Sequence, residues 1–250
     1  MKRKLGAEEK RFPSQKIEGF RNDFLVIAHR AALYYRPENT LAAFKYCVHK
    51  GWRWVECDVR LSADRIPVLF HNEKVYHPEL GDTYLHQISS VELENLDVGG
   101  GEGIPTFERV VQEFHTDLAF DVEVKEWEAV PEVLKVLDRV DFPQGLMITS
   151  FIPEALEEVR RWKPSVPIGL LLDPLAGALL RGGSGIRAAR LLKCTFIMPQ
   201  LNLVKQSQIQ EAHSYGLKVI PWTVNGGEIV ERLKEWGVDG VITDRPDLFL

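Results

Sequence analysis

Hydrophobic residues recur along the chain with two alternating periods. Short runs in which apolar positions are continuous or fall at every second residue are separated by longer runs in which they return at three- and four-residue steps. The first kind predicts β-strands at 24–29, 54–59, 118–125, 146–150, 167–172, 195–200, 218–224 and 240–244. The second predicts helices at 40–50, 131–140, 153–162, 205–215 and 226–236. Their ends carry fitting signals: Thr40 precedes the first helix, Pro131 and Pro153 open two others, and Gly51 and Gly237 follow two. Strands alternating with helices through most of the chain predict a parallel TIM (β/α)8 barrel. An open doubly wound sheet would share this order of elements, but its strands, covered on both faces, would be apolar throughout.

Two strands are not. Within Trp54–Arg60, alternation puts Glu56 and Asp58 on one face and Val55, Cys57 and Val59 on the other. In the stretch 118–125, Asp121, Glu123 and Lys125 share a face opposite Leu118, Phe120, Val122 and Val124. Charges near the C-terminal ends of strands with apolar backs suit the active end of a barrel. Buried unpaired carboxylates are costly, so a set of them asks for a cation. The alternative is a pair of structural ion pairs, Glu56 with Arg60 and Glu123 with Lys125; a buried pair gains little over apolar packing, so stability alone explains them poorly.

Beyond Asp58 the second strand runs on, turns at Asp64 and Arg65, and returns through Pro67–His71 as a hairpin. A turn centred between Asp64 and Arg65 pairs positions summing to about 129, which sets His71 across from Asp58 within a residue. The first strand ends in Ile27-Ala28-His29-Arg30, so His29 is expected to face the same pocket. Two imidazoles, with an ordinary pKa of ~6.5, suit paired general acid and base work. Arg30 and Lys125 supply positive charge for a phosphate. His49, His77, His86, His115 and His213 have no matching partners and read as surface residues, and Arg36 and Glu38 read as loop contacts.

Composition narrows the class. A chain of 250 residues, 45% hydrophobic and 27% charged, fits one globular domain of barrel size. The net charge of −5 gives no electrostatic reason to expect nucleic acid. Cys47, Cys57 and Cys194 are widely spaced in apolar settings, which suggests neither a disulfide framework nor a zinc site and points to a reducing cytoplasm. No run reaches the ~18 apolar residues of a membrane span. Basic Met1–Lys4 is followed by Glu8, Glu9 and Lys10 where a signal peptide would be apolar. Residues 1–20 are therefore expected as a solvated extension, and 21–250 as a single barrel domain. The segment 173–186, rich in leucine and glycine after a strand, is expected as a rim loop; exposed, it would suit lysophospholipids or membrane contact.

Taken in order, His29-Arg30, Pro37-Glu38-Asn39-Thr40, Glu56-Cys57-Asp58, His71, Glu123-Val124-Lys125, Trp222-Thr223-Val224-Asn225 and Gly240-Val241-Ile242-Thr243-Asp244 resemble the glycerophosphodiester phosphodiesterases. The resemblance covers about residues 24–250 and implies a TIM barrel that hydrolyses glycerophosphodiesters, small molecules of lipid and glycerol metabolism, to glycerol 3-phosphate and an alcohol. It implies His29 and His71 as the catalytic pair, and Glu56, Asp58 and Glu123 as ligands of one divalent cation. That cation would be magnesium or calcium, with manganese as an alternative, since all-oxygen ligation suits a hard ion. Arg30 and Lys125 would contact the phosphate, and Trp222 would wall the glycerol site; without the resemblance an aromatic there serves packing equally well. Two positions depart from the family's pattern: Ala31 stands where it has glycine, and Asn72 where it has aspartate. Alternative functions are a lysophospholipase D-like or cyclising activity on lysophospholipids, and a catalytically weakened barrel that binds a phosphorylated ligand.

Overall fold

The computed structural model describes residues 24–175 and 185–249. The extension expected at 1–20 and most of the 173–186 loop lie outside the described residues. The described residues form eleven strands: β1 Leu25–Ala28, β2 Trp54–Leu61, β3 Pro67–Leu69, β4 Lys74–His77, β5 Gly81–Tyr84, β6 Ala119–Val124, β7 Leu146–Ser150, β8 Ile168–Leu172, β9 Phe196–Pro199, β10 Lys218–Val219 and β11 Gly240–Thr243. Eight of them stand side by side in the order β10-β9-β8-β7-β6-β2-β1-β11, every pair parallel. Main-chain bonds join the two ends of this order. Asp239 N donates to Val219 O at 2.9 Å, Ile242 N to Pro221 O at 3.0 Å and Val224 N to Ile242 O at 2.9 Å. The protein is a TIM-like α/β barrel, as its sequence pattern predicts.

All eight expected strands are present, with one shortened. Ladder pairing in the seventh covers only Lys218–Val219, because Pro199 of β9 has no N–H to give Ile220 O and Pro221 has none to give the β11 side. Ile220 and Trp222 still donate to Ile197 and Pro199 at 3.1 Å, so the segment stays in the wall. The five expected helices form at Leu41–Lys50, Val130–Leu137, Pro153–Trp162, Gln206–Ser214 and Gly227–Trp236. Among the described residues three more, Ser90–Asn95, Phe107–Phe114 and Gly185–Leu191, have no counterpart in the periodic reading.

Strand alternation sorts side chains into two apolar shells. Val55, Cys57 and Val59 of β2 and Phe120, Val122 and Val124 of β6 face outward onto Phe44, Phe107 and Val110 of the covering helices. Inside, Ile27, Trp54, Ala119, Met147, Phe196, Met198 and Ile242 plug the barrel. A Cβ on Gly145, at φ +134°, would stand 2.7 Å from the Trp54 ring, so only glycine lets the chain pass this plug. Because the plug occupies the N-terminal half, the inward carboxylates of β2 and β6 collect at the C-terminal end.

β2 continues into an antiparallel hairpin with β3, pairing Val59 with Leu69, Arg60 with Val68 and Leu61 with Pro67. These pairs sum to 128, one less than expected. The turn has three residues between Ser62 and Ile66, with Ser62 N donating to Ile66 O at 3.1 Å and Arg65 at φ 60°. Asp58 therefore lies opposite Phe70, whose N–H donates to Asp58 O at 3.0 Å, and His71 follows one residue later. The second hairpin, β4–β5, sits on a small separate cluster of Val68, Val75, Leu85, Ile88, Leu93, Leu96 and Ile104.

Candidate active site

β2 and β6 are neighbours in register, with Glu56 opposite Asp121 and Asp58 opposite Glu123. Alternation turns all four carboxylates inward, and all are buried. One oxygen from each of Glu56, Asp58 and Glu123 lies within 4.8 Å of the others. Lys125 reaches back with Nζ 2.8 Å from Asp58 Oδ1 and 2.6 Å from Glu123 Oε1. Glu56 Oε2 accepts from Arg30 N at 2.8 Å, while Glu56 Oε1 is buried with no hydrogen-bond partner. Burial, reinforced by Asp58 and Glu123, pushes the Glu56 carboxyl well above the ordinary range. Burial likewise raises Glu123 to about 7 despite Lys125, and Asp121 to about 8 despite its bond from Thr149. Asp58 goes the other way: burial would raise it, but Lys125, with His71 and the Asn39 hydrogen bond, outweighs burial and holds it below the usual carboxylate range. A convergent, all-oxygen set with an orphaned buried oxygen fits a divalent cation.

The loop before the first helix anchors this cluster. Asn39, at φ 59°, donates from Nδ2 to Asp58 Oδ2 at 2.9 Å and accepts at Oδ1 from Asp58 N at 3.3 Å. Glu38 pairs with Arg30 at 2.6 Å, so it orients the arginine, as a loop contact should. Arg30, Ala31 and Ala32 follow one another at φ 48°, 56° and 68°. This left-handed stretch aims the Arg30 N–H at Glu56, and Ala31 occupies one of the positions where the related pattern has glycine.

Both expected histidines line the same cavity, of about 290 Å³, with Arg30, Lys125 and Trp222. His29 Nδ1 lies 2.6 Å from Asp244 Oδ1, leaving Nε2 turned inward, 4.0 Å from Glu56 Oε2. His71 Nδ1 lies 2.9 Å from Asn72 Oδ1. An acceptor on each Nδ1 holds that proton and leaves both Nε2 atoms for a substrate. Burial lowers the His71 pKa, and Lys125 adds to it, so the neutral ring is favoured. Opposite the charged wall, Phe151 and Trp222 meet edge to face at 5.6 Å, and Trp222 Nε1 donates to Met198 O at 2.8 Å. Trp222 is thus both packed and exposed to the cavity.

Sequence reasoning missed several residues. Asp244 bonds His29 and is steadied by Asn225, whose Nδ2 donates to Asp244 Oδ2 at 2.6 Å and whose Oδ1 accepts from Asp244 N at 2.9 Å. Both stand in motifs quoted above, but only ring closure reveals their contact. Asp121 lines the cavity floor, with Oδ1 accepting from Thr149 Oγ1 at 2.7 Å. His77 is a correction: it is buried, not a surface residue, accepting at Nδ1 from Glu79 N and Leu80 N and bonding Glu92 through Nε2 at 3.1 Å. Arg60 pairs with Glu126 at 2.9 Å, not with Glu56. Cys47 and Cys57 are buried thiols and Cys194 is half-buried, with burial lifting Cys47 and Cys194 to about 12. No helix among the described residues is long and apolar enough to cross a membrane.

Residues 29–248 match the model of the glycerophosphoryl diester phosphodiesterase family. A glycerophosphodiester phosphodiesterase of Caldanaerobacter subterraneus is 31% identical over 245 residues, covering 90% of this chain and 96% of that protein. The structure of an Oleispira antarctica phosphodiesterase in complex with the product sn-glycerol-3-phosphate superposes with a TM-score of 0.78 at 27% identity, over 88% of this chain and 93% of that one. A glycerophosphodiester phosphodiesterase from Thermotoga maritima gives 0.74 at 26% identity, over 90% and 96%.

Proposed function

The chain belongs to the glycerophosphoryl diester phosphodiesterase family, and on that premise we propose that it hydrolyses glycerophosphodiesters to glycerol 3-phosphate and an alcohol at the His29–His71 cavity. The observation that carries this reading is one cavity lined by His29, His71, Arg30 and Lys125 beside a buried three-carboxylate cluster. Glu56, Asp58 and Glu123 would hold a hard divalent cation, magnesium or calcium. Bound there, the cation supplies charge neutralisation for phosphate oxygens and acidifies the attacking hydroxyl.

The protein's own groups do the rest. Arg30 and Lys125 grip the phosphate. Lys125 can do so only by giving up part of its pairing with Asp58 and Glu123, which a cation on those carboxylates makes affordable. His71, favoured neutral, takes the proton of the nucleophile, and His29, steered by Asp244, delivers one to the leaving alcohol. Trp222 and Phe151 present an apolar wall to the glycerol carbons. If the glycerol 2-hydroxyl attacks first, a cyclic phosphate forms and water opens it in a second step by the same pair of histidines.

The test is glycerol 3-phosphate release from glycerophosphocholine and glycerophosphoethanolamine by metal-stripped protein resupplied with magnesium, calcium or manganese. Release is expected with a cation and lost in His29→Ala by roughly 10²-fold or more, while the variant still binds the cation. A lysophospholipid run in parallel tests the rim beyond β8, where Leu175 is 75% exposed. Absence of turnover on every diester and cation would leave a barrel that only binds.

A further inference from the structure

β3 ends at Leu69, and the last main-chain bond between β3 and β2 runs from Phe70 N to Asp58 O at 3.0 Å. His71 comes next, where the ladder no longer fixes it. Its carbonyl instead accepts from Arg60 Nε at 2.9 Å. From the other edge of the same guanidinium, Nη1 donates to Glu126 Oε1 at 2.9 Å. Glu126 directly follows Lys125 beyond the end of β6. A single planar side chain therefore spans from the main chain of His71 to the segment that carries Lys125.

The Arg60 side chain is only 11% exposed, so its donors must find partners inside the protein, and the rigid fork leaves little freedom in where those partners sit. Asn72 bonds the His71 ring; among the described residues only Arg60 donates to the His71 carbonyl. We propose that Arg60, braced by Glu126, is a positioning residue for the phosphodiesterase reaction that fixes the main chain of His71 so that its Nε2 meets the bound diester. This rests on the acid–base role given to His71 above. Arg60 touches neither substrate nor reacting atoms, and its effect passes through His71. A purely structural Arg60–Glu126 pair would lower the melting temperature when broken and leave the turnover of folded protein unchanged.

The two roles separate in a double-mutant cycle on the full chain. Arg60→Met, Arg60→Lys, His71→Ala and the double variants are compared in kcat and KM for glycerophosphocholine, in cation affinity by calorimetry, and in melting temperature. Arg60→Met is expected to lower kcat by about 10- to 100-fold, the scale of a displacement of roughly 1 Å at a catalytic group. KM and cation affinity stay within about threefold. On the His71→Ala background the same substitution costs no more than about twofold, since the group it positions is already gone. Arg60→Lys retains the charge but not the fork, so it loses kcat with a smaller change in melting temperature, and it carries the cycle if Arg60→Met does not fold. The inference is overturned if both variants keep kcat within twofold of wild type, or if their loss recurs in full on the His71→Ala background. Active wild type with undiminished Arg60 variants removes the brace alone; wild type inactive on every diester removes the catalytic reading of His71 and the brace with it.

Discussion

Asp244 gives one oxygen to His29 Nδ1 and the other to Asn225, whose amide also takes the Asp244 N–H. Burial would raise this carboxyl, but the bond to and charge of His29, together with Asn225 and Arg30, outweigh it and hold Asp244 below the usual range. An aspartate held this way fixes the tautomer of the imidazole. Asp244→Asn puts an amide where an acceptor is needed, so kcat should fall by roughly 10²- to 10⁴-fold with cation affinity unchanged; a variant that keeps its kcat would remove Asp244 from the reaction. Asn72 makes the converse test at His71. Asn72→Asp adds a negative charge beside a ring whose pKa is lowered, first by burial and then by Lys125. It should therefore raise that pKa and move the acidic limb of the rate profile to higher pH, and a limb that stays put or moves down would exclude His71 as the base. The residues legible in the sequence are those that strand alternation places together, Glu56, Asp58, Glu123 and Lys125, with His29 at a strand end and His71 on the hairpin's return leg. Asp244 is visible within a motif but not as the partner of His29, because that contact spans 215 positions and exists only once the ring closes.

Element boundaries explain which local features could be read. Thr40 marks the start of Leu41–Lys50 in the sequence, and its Oγ1 accepts from Ala43 N at 3.3 Å while donating to Pro37 O at 2.7 Å. It thus caps a helix and pins the loop that carries Asn39 to Asp58. Thr40→Ala should cost about 1 kcal/mol or somewhat more in urea unfolding, and a loss near zero would mean that the loop holds itself. The helix Phe107–Phe114 was legible in principle, with Phe107, Val110, Val111 and Phe114 on one face. It escaped because eight residues make only two turns of period. Ser90–Asn95 is shorter still, and is placed by Ser90 bonding the Asp64 carboxylate at 2.8 Å, a contact across the hairpin turn. The hairpin register falls within the one residue expected: sequence locates the turn, but not whether two or three residues form it.

At the scale of the molecule, the barrel confines its buried charge to one end above an apolar plug. Glu123 at about 7 and Asp121 at about 8 lie above their ordinary values, so the metal-free folded state holds protons that the unfolded chain has released. Their contribution to stability is therefore greatest below the ordinary carboxylate range and is lost as pH rises toward about 8. Asp58, held low, acts only under more acidic conditions. In the presence of a chelator the melting temperature should fall between pH 6 and 8.5, by roughly 5 °C or more, and added magnesium or calcium should restore more of it at pH 8.5 than at pH 6. A flat or rising curve in chelator would show that these carboxyls are not buried as described.

The seam of the barrel joins the first strand to the last, and the His29–Asp244 contact lies across it. During synthesis, His29 leaves the ribosome long before Asp244 is made. A nascent chain stopped short of β11 would hold both histidines and all three proposed cation ligands, yet one histidine would be unsteered and the wall open. Catalytic competence would then arrive only with the final strand, as a signal that the whole barrel has been made.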